Sequence, residues 1–123
     1  TGSYNHFLGY NAGWKNVSGN SNNFIGYTAG YENTDSGNNF FGKDSGNNNT
    51  TGTSNNCFGD SSCTAHSTGD FNTFIGGSSG TPGTRNTFFG YGTGSANNIS
   101  SNVFLGICCT PLSRPIFKYL RAI

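Results

Sequence analysis

The stretch Asn22-Asn23-Phe24-Ile25-Gly26-Tyr27-Thr28-Ala29-Gly30 decides how this chain is read, because its first five residues recur along the whole sequence. The recurring unit is Asn, any residue, two apolar residues, Gly. Upstream it stands as Asn5-His6-Phe7-Leu8-Gly9. Downstream it returns as Asn38-Asn39-Phe40-Phe41-Gly42, Asn55-Asn56-Cys57-Phe58-Gly59, Asn72-Thr73-Phe74-Ile75-Gly76, Asn86-Thr87-Phe88-Phe89-Gly90 and Asn102-Val103-Phe104-Leu105-Gly106. Successive terminal glycines lie 17, 16, 17, 17, 14 and 16 residues apart, and nine of the eleven Phe residues fall in the two apolar columns. Self-similarity at a near-constant period identifies a repeat architecture before any local propensity is weighed.

A weaker block follows each unit. Tyr27-Thr28-Ala29-Gly30 is matched by Tyr10-Asn11-Ala12-Gly13, Lys43-Asp44-Ser45-Gly46, Asp60-Ser61-Ser62-Cys63, Gly77-Ser78-Ser79-Gly80 and Tyr91-Gly92-Thr93-Gly94. Small residues hold its third and fourth places, where a bulky side chain is expected to clash with the neighbouring turn. Asn, Gly, Ser, Thr and Asp fill the rest, and these residues make turns and tolerate positive φ. Each period therefore predicts a short strand, a tight bend, a shorter strand of small residues and a polar return loop. A helix fails, because Gly or Asn recurs every few residues and no 3.6-residue apolar spacing survives. Hairpins fail too, since each period has one strong apolar segment rather than two. A period of 14–17 residues suits one coil of a β-solenoid. Coils stacked at about 4.8 Å would make seven of them a rod of roughly 33 Å. The expected fold is all-β: a β-solenoid or β-roll of about seven coils over residues 1–106, followed by a non-repeat cap or docking segment over 107–123.

Composition agrees. Gly, Asn, Ser and Thr fill more than half of the 123 positions, while Leu, Ile, Val and Phe fill just under a fifth. That apolar share alone would suggest disorder, but a formal charge of +1 and 15% aromatic residues oppose it. With 9% charged residues there is no basic stripe for nucleic acid. No run approaches the ~18–20 apolar residues of a membrane-spanning helix, and no signal peptide stands at the start. The sequence has no Met, so a processed product or a fragment is expected.

Adjacent side chains on a strand point to opposite faces. Phe7 and Leu8, Phe24 and Ile25, Phe40 and Phe41, Cys57 and Phe58, Phe74 and Ile75, Phe88 and Phe89, and Phe104 and Leu105 are such adjacent pairs. One column can fill the core, and the other then forms an apolar stripe whose burial against other chains recovers ~2 kcal/mol per side chain. Association of copies around a symmetry axis, as a trimer or filament, is the expected consequence. The alternative is a wider coil with a bulge that turns both columns inward. The leading residues Asn5, Asn22, Asn38, Asn55, Asn72, Asn86 and Asn102 read as a structural column, stacked as a hydrogen-bonded ladder or capping the bend through local backbone.

At these residues the chain resembles a known group. Phe24-Ile25-Gly26-Tyr27-Thr28-Ala29-Gly30-Tyr31 and Phe7-Leu8-Gly9-Tyr10-Asn11-Ala12-Gly13 look like repeats of bacterial surface and phage tail-fibre-like proteins. More distantly they are similar to head repeats of trimeric autotransporter adhesins. That resemblance covers roughly residues 4–106. It implies a left-handed parallel β-roll, trimeric association and attachment to surface glycans or host matrix. The chain departs from the autotransporter pattern in its bulky Phe column and its longer, irregular period, and no catalytic residue carries over.

Beyond Gly106 the composition changes. Residues 107–123 carry Arg114, Lys118 and Arg121 with no acid, a charge of +3 against −2 for residues 1–106. Ile116, Phe117, Leu120 and Ile123 fit one helical face after Pro111 and Pro115, although an added strand is an alternative. A cap over the open sheet edge is one reading, and a segment docking on the acidic body of a neighbour is the other. Cys57, Cys63, Cys108 and Cys109 match no zinc or redox spacing. Cys57 replaces Phe in its column and Cys63 replaces Gly in the next block. A disulfide between them across one coil is one reading, and a buried free thiol at Cys57 is the other. An extracellular or cell-surface setting permits either.

The chemistry of catalysis is missing from the pattern. His6 and His66 occupy unrelated places in the repeat, and Asp44, Asp60 and Asp70 do not reproduce a calcium-binding nonapeptide. Gly76-Gly77-Ser78-Ser79-Gly80 lacks the Lys-Ser/Thr end of a phosphate loop. No enzyme activity, cofactor or metal is expected. Asn16, Asn48, Asn49 and Asn98 head N-glycosylation sequons. The leading expectation is a structural or adhesive module, a subunit of an extracellular rod or filament, with outward Tyr10, Tyr27, Tyr31 and Tyr91 as contacts. An ice-binding solenoid is the second reading, although Asn11, Thr28, Asp44, Ser61, Ser78, Gly92 and Cys108 form a chemically mixed column. A cohesive low-complexity segment is the third.

Overall fold

The computed structural model describes residues 2–64, 68–78, 83–93 and 100–106. The expected cap at 107–123, with Cys108 and Cys109, lies outside the described residues, as do His66 and Asn98. Each repeat unit forms one three-residue strand: β1 (His6–Leu8), β2 (Asn23–Ile25), β3 (Asn39–Phe41), β4 (Asn56–Phe58), β5 (Thr73–Ile75), β6 (Thr87–Phe89) and β7 (Val103–Leu105). They pair in sequence order as one parallel sheet. The register is the repeat itself: Phe7 opposes Phe24, Phe24 opposes Phe40, and Phe88 opposes Phe104. The chain is a β-solenoid of about five turns with coils of roughly 16 residues. Turns are fewer than repeat units because seven strands bound only six windings, the later of which cross residues outside the description.

The first apolar column faces inward. Phe24, Phe40, Cys57, Phe74 and Phe88 are fully buried, with Phe104 packed against the end of the column and Phe7 more than a third exposed at the other. Ring centroids stack at 4.8 Å for Phe7–Phe24 and 5.0 Å for Phe24–Phe40, while Phe74–Phe88 and Phe88–Phe104 sit at 4.9 and 4.8 Å with tilted or edge-on planes. These centroid spacings match the strand spacing, so every ring sits over its counterpart. Neighbouring Ile25 and Phe41 flank buried residues but are themselves partly exposed. The alternative of both columns turned inward is not what the chain adopts.

The second block is not a strand. Among the described residues it is a run of tight turns, with Ala12 N donating to Gly9 O at 3.3 Å and Asn16 N to Gly13 O at 2.9 Å. The cause is backbone handedness: Asn11, Thr28, Asp44, Ser61 and Ser78 have φ between 50° and 54°, and Gly13, Gly30, Gly46 and Cys63 lie between 58° and 63°. Two left-handed residues so close together roll the chain around a corner instead of extending it. The coil-to-coil ladder nevertheless continues through the corner, with Thr28 N donating to Tyr10 O at 2.8 Å and Gly30 N to Ser45 O at 2.9 Å.

The small residues answer to a different neighbour than expected. A Cβ on Gly30 would lie 2.6 Å from the Phe24 ring of its own coil, and one on Gly46 2.5 Å from the Phe40 ring. The inward aromatic, not the adjacent turn, demands glycine there. Gly26 is constrained the other way. Its φ of 143° is a glycine conformation, and a Cβ would run into the Gly42 carbonyl of the next coil.

Candidate functional site

The outer face of the sheet carries two columns, two residues apart on each strand. One is His6, Asn23, Asn39, Asn56, Thr73, Thr87 and Val103. Its central amides form a surface chain, Asn23 Nδ2 donating to Asn39 Oδ1 at 2.6 Å and Asn39 Nδ2 to Asn56 Oδ1 at 2.8 Å. The other is the second apolar column, Leu8, Ile25, Phe41, Phe58, Ile75, Phe89 and Leu105. Within it Leu8 is 59%, Phe58 39%, Ile75 36%, Phe89 42% and Leu105 56% exposed. Phe41 and Phe58 stack at 4.9 Å. The stripe is continuous because parallel in-register pairing places equivalent side chains one strand spacing apart. A side chain of ~150–250 Å², exposed to this degree at each position, makes a patch of about 450 Å². That falls within the 300–600 Å² of the largest patch on a typical monomer, a range in which such patches are often functional.

Other polar groups stand exposed or half-exposed elsewhere on the coils. Tyr10, Tyr27 and Tyr91 are exposed, with Tyr10 and Tyr27 stacked at 5.3 Å, whereas Tyr31 is half-buried. Lys15 Nζ donates to the Glu32 carboxylate at 2.8 Å and stands 5.7 Å from the Tyr31 ring centre. Hydrogen bonding to Glu32 raises the Lys15 pKa above its usual 10.5, and hydrogen bonding to Asp44 does the same for Lys43. Both lysine side chains are half or more exposed, so these pairs orient the surface without anchoring it.

Inside, the leading asparagines build both alternatives expected of them at once. Each Oδ1 accepts the backbone N–H of the next Asn: Asn22 on Asn5 at 2.9 Å, Asn38 on Asn22 at 2.8 Å, Asn55 on Asn38 at 2.9 Å, Asn72 on Asn55 at 3.0 Å, Asn86 on Asn72 at 2.9 Å and Asn102 on Asn86 at 3.1 Å. Each Nδ2 from Asn5 to Asn72 donates to the return-loop carbonyl of Gly19, Asp35, Gly52, Gly69 or Gly83 at 2.7–2.9 Å. Only a side chain with an acceptor and a donor on one short arm does both.

A second interior amide column escaped the sequence reading. Asn49 Nδ2 donates to Asn33 Oδ1 at 2.6 Å, and Asn38 Nδ2 reaches the same oxygen at 2.9 Å. The signal was present, because Asn16, Asn33 and Asn49 each stand eleven places after a leading Asn.

Cys57 and Cys63 are joined by a disulfide with a Cα–Cα separation of 6.1 Å, and both are fully buried. In the two preceding coils the same two places hold Phe24 with Gly30 and Phe40 with Gly46, in ring-over-glycine contact. The disulfide occupies that volume, and Cys63 keeps the left-handed φ of 61° that the turn requires.

Among the sequons, Asn48 is exposed, its Nδ2 donating to Thr64 O. Asn49 is fully buried with its Nδ2 committed to Asn33 and Gly52, and Asn16 Nδ2 is buried, so neither admits a glycan in the folded coil. Among the described residues no group of three or more His, Cys, Asp or Glu side chains converges to hold a metal, and no helix is long and apolar enough to cross a membrane. The mixed column Asn11 to Gly92 lies on the left-handed corner, where Thr28 Oγ1 donates to Asp44 Oδ1.

Comparison of the chain with family models, curated proteins and solved structures finds no match.

Proposed function

We propose that this chain is a non-enzymatic structural or adhesive module, a subunit of an extracellular or cell-surface rod that associates laterally with copies of itself. The observation that carries this reading is the outward apolar column on a stiff, hydrogen-bonded wall. Burial of seven partly exposed side chains recovers roughly 1 kcal/mol each, about half the value for a fully exposed one. Two facing stripes thus supply on the order of 14 kcal/mol, comparable with the ~4–15 kcal/mol lost on association. About 450 Å² per copy is also near half of the ~800 Å² that a standard interface buries per partner. The flanking amide column must join the contact, and the association is micromolar rather than obligate.

A closed arrangement in which each stripe faces an axis buries every copy equally, which supports a trimer or other cyclic assembly over a ragged one. The buried disulfide favours an oxidising compartment. Exposed Tyr10, Tyr27 and Tyr91 remain outside such a contact as candidate adhesive groups toward surface glycans or matrix. Sedimentation velocity between 1 and 100 μM tests the reading. The wild type shifts to a discrete multimer across this range, and Phe58→Asp with Phe89→Asp holds the chain monomeric with an unchanged far-UV spectrum. A wild type monomeric throughout refutes lateral assembly.

A further inference from the structure

The outer face of the sheet is nearly palindromic about its fourth strand. On each strand the amide column stands two residues before the apolar column, so the two run side by side along the rod. From β1 to β7 the apolar column reads Leu8, Ile25, Phe41, Phe58, Ile75, Phe89, Leu105. About Phe58 its two ends match, and each remaining Phe has an Ile at the mirrored place, Phe41 with Ile75 and Phe89 with Ile25. The amide column is marked at the same strand. Asn23 donates to Asn39 and Asn39 to Asn56, but Asn56 Nδ2 has no acceptor among the described residues. Asn56 Oδ1 keeps a second lone pair beside the one that Asn39 takes. The chain of surface amides therefore stops, with a donor and an acceptor unspent, on the strand where the palindrome turns.

We propose that two copies pack face to face in antiparallel sense, about a two-fold axis that crosses the rod at β4 and runs along the strand direction. This rests on the lateral association proposed above and fixes its geometry. A two-fold parallel to the rod reverses the order of the columns. It lays apolar on amide or, shifted to keep apolar on apolar, leaves the amides outside the contact. A two-fold along the strands keeps the order, so apolar meets apolar and amide meets amide in one flat interface. The area calls for that arrangement, because the apolar stripe alone supplies about half of the ~800 Å² that a standard interface buries per partner. The contact is isologous and closes as a dimer. Phe41 faces the partner's Ile75, Phe89 the partner's Ile25 and Leu8 the partner's Leu105, so away from the axis each ring meets a smaller aliphatic chain and the layers interdigitate. On the axis Asn56 Nδ2 donates to the partner's Asn56, and Asn56 Oδ1 accepts the reciprocal bond. Parallel packing would instead set every Phe against its own image.

Cross-linking tells the two senses apart. His6 and Val103 stand in the amide column on β1 and β7, and both are exposed. Antiparallel packing sets His6 opposite the partner's Val103 across the ~10 Å between packed sheets. It separates the two His6 positions by six strand spacings, roughly 29 Å along the rod. The test uses a Cys108→Ser, Cys109→Ser background and a bis-maleimide spanning about 10 Å, the spacing of packed sheets. When His6→Cys and Val103→Cys copies are mixed, the reagent should join one variant to the other, with like-to-like product about tenfold lower or less, as the separations require. Asn56→Asp, which sets a carboxylate against its own image on the axis, should raise the dissociation constant about tenfold or more, with an unchanged far-UV spectrum. A multimer in which each variant cross-links to itself, or in which neither pairing cross-links, overturns the antiparallel dimer and leaves lateral association standing. An Asn56→Asp chain that assembles like the wild type does the same. A wild type that stays monomeric in sedimentation removes both readings.

Discussion

The exchange of Phe·Gly for Cys·Cys in the fourth coil can be reversed, and the outcome is calculable. In the two coils before it, the ring of Phe24 or Phe40 covers a glycine whose Cβ would lie 2.5–2.6 Å from ring carbons. Phe at 57 above Cys63 repeats that overlap, and overpacking of this kind costs about 1–3 kcal/mol. Gly at 63 removes the overlap and releases a non-glycine residue from left-handed φ, a gain of roughly 1 kcal/mol. The Phe then bridges Phe40 and Phe74 in one unbroken stack and buries more apolar surface than Cys, about 1–2 kcal/mol more. The native cross-link closes a loop of about six residues and contributes roughly 2 kcal/mol by chain entropy.

Both single variants break that cross-link, so an oxidised cycle would couple trivially. The informative cycle is run in reducing agent, following urea unfolding by circular dichroism. Under those conditions the double variant Cys57→Phe, Cys63→Gly is expected to exceed the reduced wild type by about 2–3 kcal/mol, and Cys57→Phe alone to fall about 2–4 kcal/mol below the double variant. With Cys63→Gly alone gaining roughly 1 kcal/mol, the coupling equals the overlap, about 1–3 kcal/mol. Additivity within ~0.5 kcal/mol, the behaviour of independent sites, would refute the claim that the disulfide stands in the place of a ring on a glycine.

Asn38→Ala orphans one buried group, the Asn55 N–H, and takes one of two donors from Gly52 C=O and Asn33 Oδ1, which both keep Asn49 Nδ2. At ~1–3 kcal/mol for an unsatisfied buried group, denaturant titration should show a loss of about 2 kcal/mol, against less than ~1 kcal/mol for Asn20→Ala on the exposed return loop. Thr28 is β-branched at φ 50°, where the first coil uses Asn11. Thr28→Asn is expected to raise stability by about 0.5 kcal/mol, the relief of ~1 kcal/mol outweighing the lost hydroxyl bond to Asp44, and a lowered melting temperature would count against it. Raised lysine pKa values contribute stability that is present below the unfolded value of 10.5 and lost as pH rises through the folded one. Urea midpoints followed from pH 7 to pH 11 should therefore hold level to about pH 10 and fall above it, and Lys15→Met should flatten part of that fall.

Much of the architecture was legible because a solenoid repeats its physics. A residue type required once by a bend or a core position is required again in every coil, so Asn-x-apolar-apolar-Gly at a steady spacing already implied stacked equivalents. The Cys57–Cys63 pair was legible for the same reason, since it replaces two residues of one contact together. The second strand was misread: short runs such as Tyr27-Thr28-Ala29 have no periodicity of their own, and nothing local announces that Thr28 takes a left-handed φ. The stripe was half legible. Alternation requires that one of two adjacent columns face out, but the sequence contains Phe in both.

By itself, then, the sequence determined the winding, the register and the existence of an asparagine ladder, because each follows from identical side chains recurring at one period. Only the tertiary structure decided which apolar column turns inward. That choice depends on the sense in which the left-handed corners at Asn11, Thr28, Asp44 and Ser61 fold the chain back over the strand, and handedness at a corner is a property of the closed coil rather than of any residue read alone.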